Sequence, residues 1–341
     1  MIIFKKRFVT GARMKLVTFL NSKKEERAGV LIADGTKILD LASSSQKNGN
    51  KYNPDFISVL NIIRGNEKAL ADINKELDKP HSEAILEAKS VTLCTPIPEP
   101  PQIRDCLCFE EHLVQAYEVL RKVKAAGEVD PEAALLQYGK QGLFKIPEVW
   151  YQQPIYYKAN RFSVIGTDQD VIWPYYAKTM DFELEFGFFI SKKGRDISRK
   201  KAMDHIFGYS IFNDMSARDI QATEMQGGLG PAKGKDFDTG NIIGPCIVTA
   251  DEIDPYNLTM IARVNGEEWS RGSSSSINWK FEDLISYISK SETLYPGEFF
   301  GSGTVGGGSG LELERYLAPG DIIELEVEGI GTLRNKIIVK T

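Results

Sequence analysis

Met180-Asp181-Phe182-Glu183-Leu184-Glu185-Phe186 alternates acidic and apolar side chains from Asp181 onward. On a β-strand successive side chains point to opposite faces, so Phe182, Leu184 and Phe186 share one face and Asp181, Glu183 and Glu185 the other. The apolar face asks for a core and marks a strand. Three carboxylates along the second face repel each other unless water or a cation lies over them. One reading is a solvated outer face, common in half-exposed strands. The other is a divalent cation held by oxygen ligands, which hard ions prefer.

Around this strand the chain keeps the same character. From Tyr151 onward short apolar runs are separated by glycines, with a dense glycine run at 301–310. That pattern predicts a mixed β fold and not a doubly wound sheet. Upstream, Phe109, Leu113, Ala116, Leu120 and Val123 recur at helical spacing and predict an amphipathic helix over 109–124. Residues 125–147 lose that pattern and read as a surface excursion. Pro96, Pro98, Pro100 and Pro101 form a stiff connector, which places a domain boundary at about residue 92. Before it, 14–91 reads as a small α/β module. Strand-like runs at 15–19 and 29–31, a turn at Asp34-Gly35 and a third run at 37–41 precede helical spacing at 56–63 and 69–86. Residues 1–13 are an N-terminal extension. Met1 to Lys24 carries no acidic residue, as a transit peptide would not, but the strand pattern beginning at Lys15 favours an extended start before a first strand. The expected location is the cytoplasm.

The 341 residues hold 42 lysine and arginine against 47 aspartate and glutamate, a net charge of −5, with 42% hydrophobic residues. This is a globular balance without the basic excess of a nucleic-acid binder. No apolar run is long enough to span a bilayer. The four cysteines (Cys94, Cys106, Cys108, Cys246) suggest reduced thiols. Neither nucleic acid nor a membrane is expected as a partner.

Further polar groups follow the acidic strand. An apolar run at 208–212 ends in Asn213-Asp214-Met215-Ser216-Ala217-Arg218-Asp219-Ile220-Gln221. If a helix starts near Asp214, then Asp214, Arg218 and Gln221 share one face. Asp214 reads equally as a helix cap. Lys235, beside Gly234 in a polar loop, is either an exposed turn lysine or a cation for a developing oxyanion. The glycine run at 301–310 lacks the Gly-Lys-Ser/Thr ending of a phosphate cradle, which excludes a nucleotide site of that kind. Of three histidines (His81, His112, His205), His81 and His205 sit in charged helical surroundings, and His112, early in the 109–124 helix, reads more readily as structural than as catalytic. No serine-hydrolase arrangement is present.

Taken in order, Asp181-Phe182-Glu183-Leu184-Glu185, Gly208-Tyr209 through Gln221, Gly234-Lys235-Asp236-Phe237, Val264-Asn265-Gly266-Glu267, Leu294-Tyr295-Pro296-Gly297, Gly301-Ser302-Gly303-Thr304-Val305-Gly306 and Pro319-Gly320-Asp321 resemble the fumarylacetoacetate hydrolase family from about residue 92 to the end. The resemblance implies an α+β, predominantly β fold, with a mixed β-roll or barrel-like domain over 92–341, and a homodimer. It implies a divalent cation, Mg²⁺ first with Mn²⁺ or Ca²⁺ as alternatives, on Glu183, Glu185, Asp214 and Asp105. His112, Lys235 and Gln221 match catalytic positions, and Arg121, Tyr157, Arg218 and Thr304 match positions that contact substrate. Where small family members place a glutamate three residues after the histidine, this chain has Gln115. The fumarylacetoacetate-cleaving branch takes its glutamate from a late Leu-Glu-Leu segment, here Leu311-Glu312-Leu313, so His112 pairs with Glu312. Leu107 replaces a substrate-contacting tyrosine of that branch, which argues against fumarylacetoacetase proper.

The implied activity is hydrolysis of a C–C bond in a 2-oxo or 1,3-dicarbonyl acid, through an enolate at the metal and water activated by the His–Glu pair. An isomerase or decarboxylase of a related 2-oxo diacid is the alternative on the same site. A protein that binds a metabolite without catalysis is the alternative outside enzymes.

Overall fold

The computed structural model describes residues 13–340. Of the expected N-terminal extension, 1–13, residues 1–12 lie outside them.

One twelve-stranded sheet forms the backbone of the molecule. Ten strands form its path, Ile85–Glu87, Lys37–Asp40, Glu26–Ile32, Lys15–Leu20, Asn241–Thr249, Ile206–Asp214, Leu184–Ile190, Phe299–Gly301, Ile103–Cys106 and Tyr156–Ala159, and off it Thr92–Cys94 pairs with Lys15–Leu20 and Val164–Ile165 with Asn241–Thr249. The path is open at both ends. A five-stranded sheet, in the order Glu267–Ser273, Thr259–Val264, Ile322–Val327, Gly331–Ile338 and Val171–Ile172, packs beside it. The fold is α+β and predominantly β.

Leu184–Ile190 lies at the centre because it is buried along its whole length. Gly187 is required there: a Cβ at this position would sit 2.3 Å from the Phe300 carbonyl oxygen and 2.4 Å from the Phe299 ring. The absent side chain lets Phe299–Gly301 pair closely alongside. Phe188 then meets Phe300 with ring centroids 5.0 Å apart and Phe281 at 4.7 Å. Each such ring contributes roughly 1.5–3 kcal/mol by leaving water.

The strand 180–186 is not continuous. Met180–Asp181 pairs with Ser216–Ala217, whereas Leu184–Ile190 pairs with Ile206–Asp214. Phe182 and Glu183 lie between the two ladders, with the Glu183 amide on Asn213 Oδ1 at 3.1 Å. The solvated reading of the acidic face does not hold: Asp181, Glu183 and Glu185 are 0%, 5% and 0% exposed.

Three helical expectations are corrected. The spacing at 56–63 and 69–86 resolves into a 3₁₀ turn, Pro54–Ile57, and a helical stretch, Val59–Asp78. Asn66, with φ 47° and ψ −129°, breaks that stretch into two helices at a kink, so the division holds and the bounds shift. Pro80 follows its cap at Lys79 and forbids continuation, and Leu86 belongs to a strand. Residues 125–147 include a true helix, Pro131–Gln141, with Asp130 as N-cap, Pro131 in the first turn and Gly142 left-handed at the end. None of its residues is buried, so its apolar periodicity was too weak to detect. Finally, Asp214 ends a strand and the next helix is Arg218–Glu224. The shared helical face of Asp214, Arg218 and Gln221 therefore does not exist.

The 14–91 module is joined to the rest through the sheet. Lys15 and Leu16 pair with Val248 and Ile247, and Thr18 Oγ1 donates to the Pro96 carbonyl at 2.7 Å.

Candidate active site

Three strands of the sheet bring carboxylates together, two of them adjacent and the third on the far side of Phe299–Gly301. Asp105 comes from Ile103–Cys106, Glu185 from Leu184–Ile190 and Asp214 from the last position of Ile206–Asp214. Each offers an oxygen within 4.8 Å of the others. All three are buried. Burial first, and the Asp214 charge next, push the Asp105 carboxyl well above its ordinary range. Burial and the Asp105 charge do the same to Glu185. Glu185 accepts from the Gly303 amide at 2.9 Å and from Thr304 Oγ1 at 3.4 Å. Asp214 Oδ2 accepts from the Tyr157 hydroxyl at 2.7 Å. Asp105 Oδ1 and Asp214 Oδ1 are buried with no hydrogen-bond partner. Buried oxygens of this kind, clustered and unpartnered, fit a hard divalent cation.

Two cations balance the cluster from the other side. Lys235 Nζ donates to Glu183 Oε2 at 2.7 Å and to Asp214 Oδ2 at 2.5 Å. Burial opposes its charge, but Asp214 and Glu183 raise the Lys235 pKa above the ordinary lysine value. Arg218 donates Nε to Asp181 Oδ2 at 2.7 Å and meets Glu183 Oε1 with Nη1 at 2.8 Å. Its Nη2 is buried without a partner. Glu183 thus has both oxygens on cations, and it would join a metal only by giving one of them up. Gln221 is placed behind the guanidinium, accepting from Arg218 Nη1 at 2.9 Å.

The histidine arrives on the helix Glu110–Ala125, where it is buried. Its Nδ1 lies 3.0 Å from Glu312 Oε2, in a direction off the line of a hydrogen bond. Burial works against the imidazolium, yet the Glu312 carboxylate outweighs it and raises the His112 pKa above its ordinary value. Glu312 is fixed by local sequence. In Ser309-Gly310-Leu311-Glu312 it closes a capping box at the short helix Gly310–Leu313. Its oxygens accept from the Gly307 amide at 2.9 Å, the Ser309 amide at 2.9 Å and Ser309 Oγ at 2.7 Å.

Most sequence-derived positions therefore converge: Asp105, Glu183, Glu185, Asp214, Lys235, Arg218, Gln221, Tyr157 and Thr304 are linked through these contacts, with His112 and Glu312 beside them. Arg121 is not among them. It donates to the Leu143 and Phe144 carbonyls at 3.4 and 2.9 Å and holds the surface excursion against its helix. Sequence reasoning passed over Asp181 as a separate element of the site, although its place two residues before Glu183 was visible.

Buried charge at this density costs stability, since apolar side chains would fill the same volume at lower cost, and such clusters of perturbed groups concentrate at functional sites. Such a centre marks an enzyme. The description Fumarylacetoacetate (FAA) hydrolase C-terminal matches residues 127–338, and the chain belongs to the fumarylacetoacetate hydrolase family. It is 30% identical over 329 residues to the mitochondrial oxaloacetate tautomerase fahd2 of Xenopus laevis, covering 95% of this chain and 90% of that protein. To the human mitochondrial oxaloacetate tautomerase FAHD2A it is 35% identical over 189 residues, 55% of this chain and 60% of that one. Among solved structures, the fumarylacetoacetate hydrolase of Exiguobacterium antarcticum superposes with a TM-score of 0.71 at 26% identity, over 96% of this chain and 100% of the other. Among the described residues no helix is long and apolar enough to cross a membrane.

Proposed function

We propose that the protein is a divalent-metal-dependent enzyme of 2-oxo acids that hydrolyses a C–C bond in an acylpyruvate-like substrate. The observation that carries this reading is a buried imidazole, 3.0 Å from a fixed carboxylate and within the field of Glu183, in a chain that also buries an acidic triad with unpartnered oxygens. Asp105, Glu185 and Asp214 would hold the ion, with Glu183 at their margin. Mg²⁺ is the first expectation. Manganese is supported by a solved maleylpyruvate hydrolase of Sphingobium, similar in fold, that is in complex with manganese(II) and pyruvate. A bound divalent cation supplies Lewis acidity, polarising the oxygens of the 2-oxo acid.

The chain's own groups do the rest. Glu312 bears on Nδ1 of His112, which leaves Nε2 as the basic atom. His112 takes a proton from water as the water oxygen adds to the carbonyl carbon. The C–C bond then breaks with its electron pair on the departing carbon, and the proton on His112 returns to that carbon. A carboxylic acid and a 2-oxo acid result. Lys235 and Arg218 Nη2 offer positive charge to the oxyanion and to the substrate carboxylate.

A second reading is supported by the Xenopus relative, whose name is oxaloacetate tautomerase. There, His112 would take a proton from the carbon beside the keto group as the oxygen gains one, breaking a C–H bond and no C–C bond. A homodimer acting in the cytoplasm completes the proposal, checked by light scattering and cell fractionation. The deciding experiment offers acylpyruvates, fumarylpyruvate, fumarylacetoacetate and oxaloacetate with Mg²⁺ or Mn²⁺. Cleavage products that vanish with chelator support hydrolysis. Loss of enol absorbance and solvent-deuterium uptake into oxaloacetate, with no cleavage, would replace hydrolysis by tautomerisation. Silence across the panel with no metal bound overturns both.

A further inference from the structure

We infer that Asp181 is a positioning residue of this site, tying the short helix that carries Glu312 to the guanidinium that holds Glu183. Its role in turnover rests on the reading of His112 and Glu312 as the proton-transfer pair; its role in holding the two pieces together does not.

The carboxylate is fully buried and saturated. Oδ1 accepts from the Gly310 amide at 2.7 Å and the Phe182 amide at 2.8 Å. Oδ2 accepts from the Leu311 amide at 2.9 Å and from Arg218 Nε at 2.7 Å. An ionised carboxylate offers about four acceptor positions, and all are used. Two carboxylates therefore serve one turn of helix. Glu312 closes it from within through Ser309, while Asp181 grips its first amides from the neighbouring strand. The approach is close enough to need glycine, because a Cβ on Gly310 would lie 2.4 Å from Asp181 Oδ1.

Anchoring a turn does not require a charge, since serine or threonine can accept from helix amides. Burying a carboxylate for that purpose alone would cost several kcal/mol. The charge is explained by the fourth contact. Arg218 places Nε on Asp181 and Nη1 on Glu183 and Gln221, so its plane is set by Asp181 on one side and Glu183 on the other. The imidazole partner and the guanidinium are thereby mounted on the same carboxylate. A shift of one must be transmitted to the other.

The test is Asp181→Asn, an isosteric change that keeps one acceptor oxygen and replaces the other with an amide that cannot accept. Expected are at least tenfold faster amide hydrogen exchange in a peptide covering residues 309–313, Mn²⁺ affinity measured by calorimetry within threefold of the parent protein, and a tenfold or larger fall in kcat with a smaller change in KM. The kcat losses of Asp181→Asn and Glu312→Gln should be non-additive, because both act through one turn of helix. Unchanged exchange at 309–313 overturns the proposal, as do additive kcat losses. Loss of Mn²⁺ binding also overturns it, since Asp181 would then be supporting the whole core. If no substrate is turned over, the proposed function fails while exchange and Mn²⁺ affinity still decide the placement of Asp181.

Discussion

His112 Nδ1 and Glu312 Oε2 approach to 3.0 Å from two different helices, and neither residue belongs to the acidic triad. Chemistry and metal binding are therefore separable by mutation. His112→Gln should lower kcat about 10²–10⁴-fold, the usual contribution of a positioned acid–base group. Mn²⁺ binding measured by calorimetry should stay within a few-fold. Parallel loss of both would show that the imidazole belongs to the metal centre.

The pH dependence follows from the same pair. A general base works when neutral, and Glu312 outweighs burial to hold the His112 pKa above 6.5. The acidic limb of the rate profile should lie above that value. Glu312→Gln removes the leading charge that favours the imidazolium, so the limb should move to lower pH as maximal turnover falls. A limb that stays in place would exclude this pair as its source. The linkage to stability has the matching sign. The raised His112 pKa adds stability below the ordinary histidine value, and that stability disappears as pH rises through the folded-state pKa.

Burial pushes the Asp105 and Glu185 carboxyls up, and the Asp214 charge adds to the first and the Asp105 charge to the second. A carboxyl raised in the fold favours folding when protonated, so lowering the pH toward the ordinary carboxylate range should raise the metal-free melting temperature until more strongly paired carboxylates such as Glu183 begin to protonate. Divalent cation at a hundredfold excess over Kd should stabilise the protein by about 2.7 kcal/mol. Asp105→Asn should raise the metal-free melting temperature and abolish that response. A variant that still responds fully to Mn²⁺ would remove Asp105 from the ligand set.

Lys235 lies between Glu183 and Asp214. Lys235→Met leaves two buried carboxylates without their ammonium, a change that costs about 3–5 kcal/mol where one partner of a buried pair is lost. Thermal denaturation should show this loss in chelator and recover much of it in Mn²⁺, because the added charge replaces the one removed. A destabilisation that metal does not relieve would place Lys235 outside the electrostatic field of the triad.

A Cβ on Gly301 would lie 2.5 Å from Asp105 Oδ1 and 2.9 Å from the Phe212 ring. Gly301→Ala should displace Asp105 and weaken Mn²⁺ at least tenfold, at an overpacking cost of about 1–3 kcal/mol. Unaltered affinity would mean that the aspartate adapts freely.

The candidate site was more legible than the fold around it. Alternation at 182–186 identified a strand and put Glu183 and Glu185 on one face, because side-chain direction in a strand follows from parity alone. Parity could not reveal that Phe182 and Glu183 leave one ladder before the next begins, nor that the acidic face is buried. Both facts depend on strands distant in sequence. The site residues Asp105, His112 and Glu312 were found through ordered motifs; no local periodicity points to them. Pro131–Gln141 was missed despite its Asp130 cap and Gly142 terminus, since a helix with no buried residue lacks the apolar stripe that periodicity detects. Arg121 was reached through its motif position alone, and no local pattern announces that its Nη1 donates to the Leu143 and Phe144 carbonyls.

The pairing of Lys15 and Leu16 with Val248 and Ile247 makes the proline connector a poor place to cut. A fragment starting there would leave the Ile247–Val248 end of Asn241–Thr249 without its partner, two strands away from Glu185, and exposed strand edges recruit other chains. The catalytic half is thus not a portable cassette: grafted elsewhere without its first strands, it would be expected to self-associate before it could turn over anything.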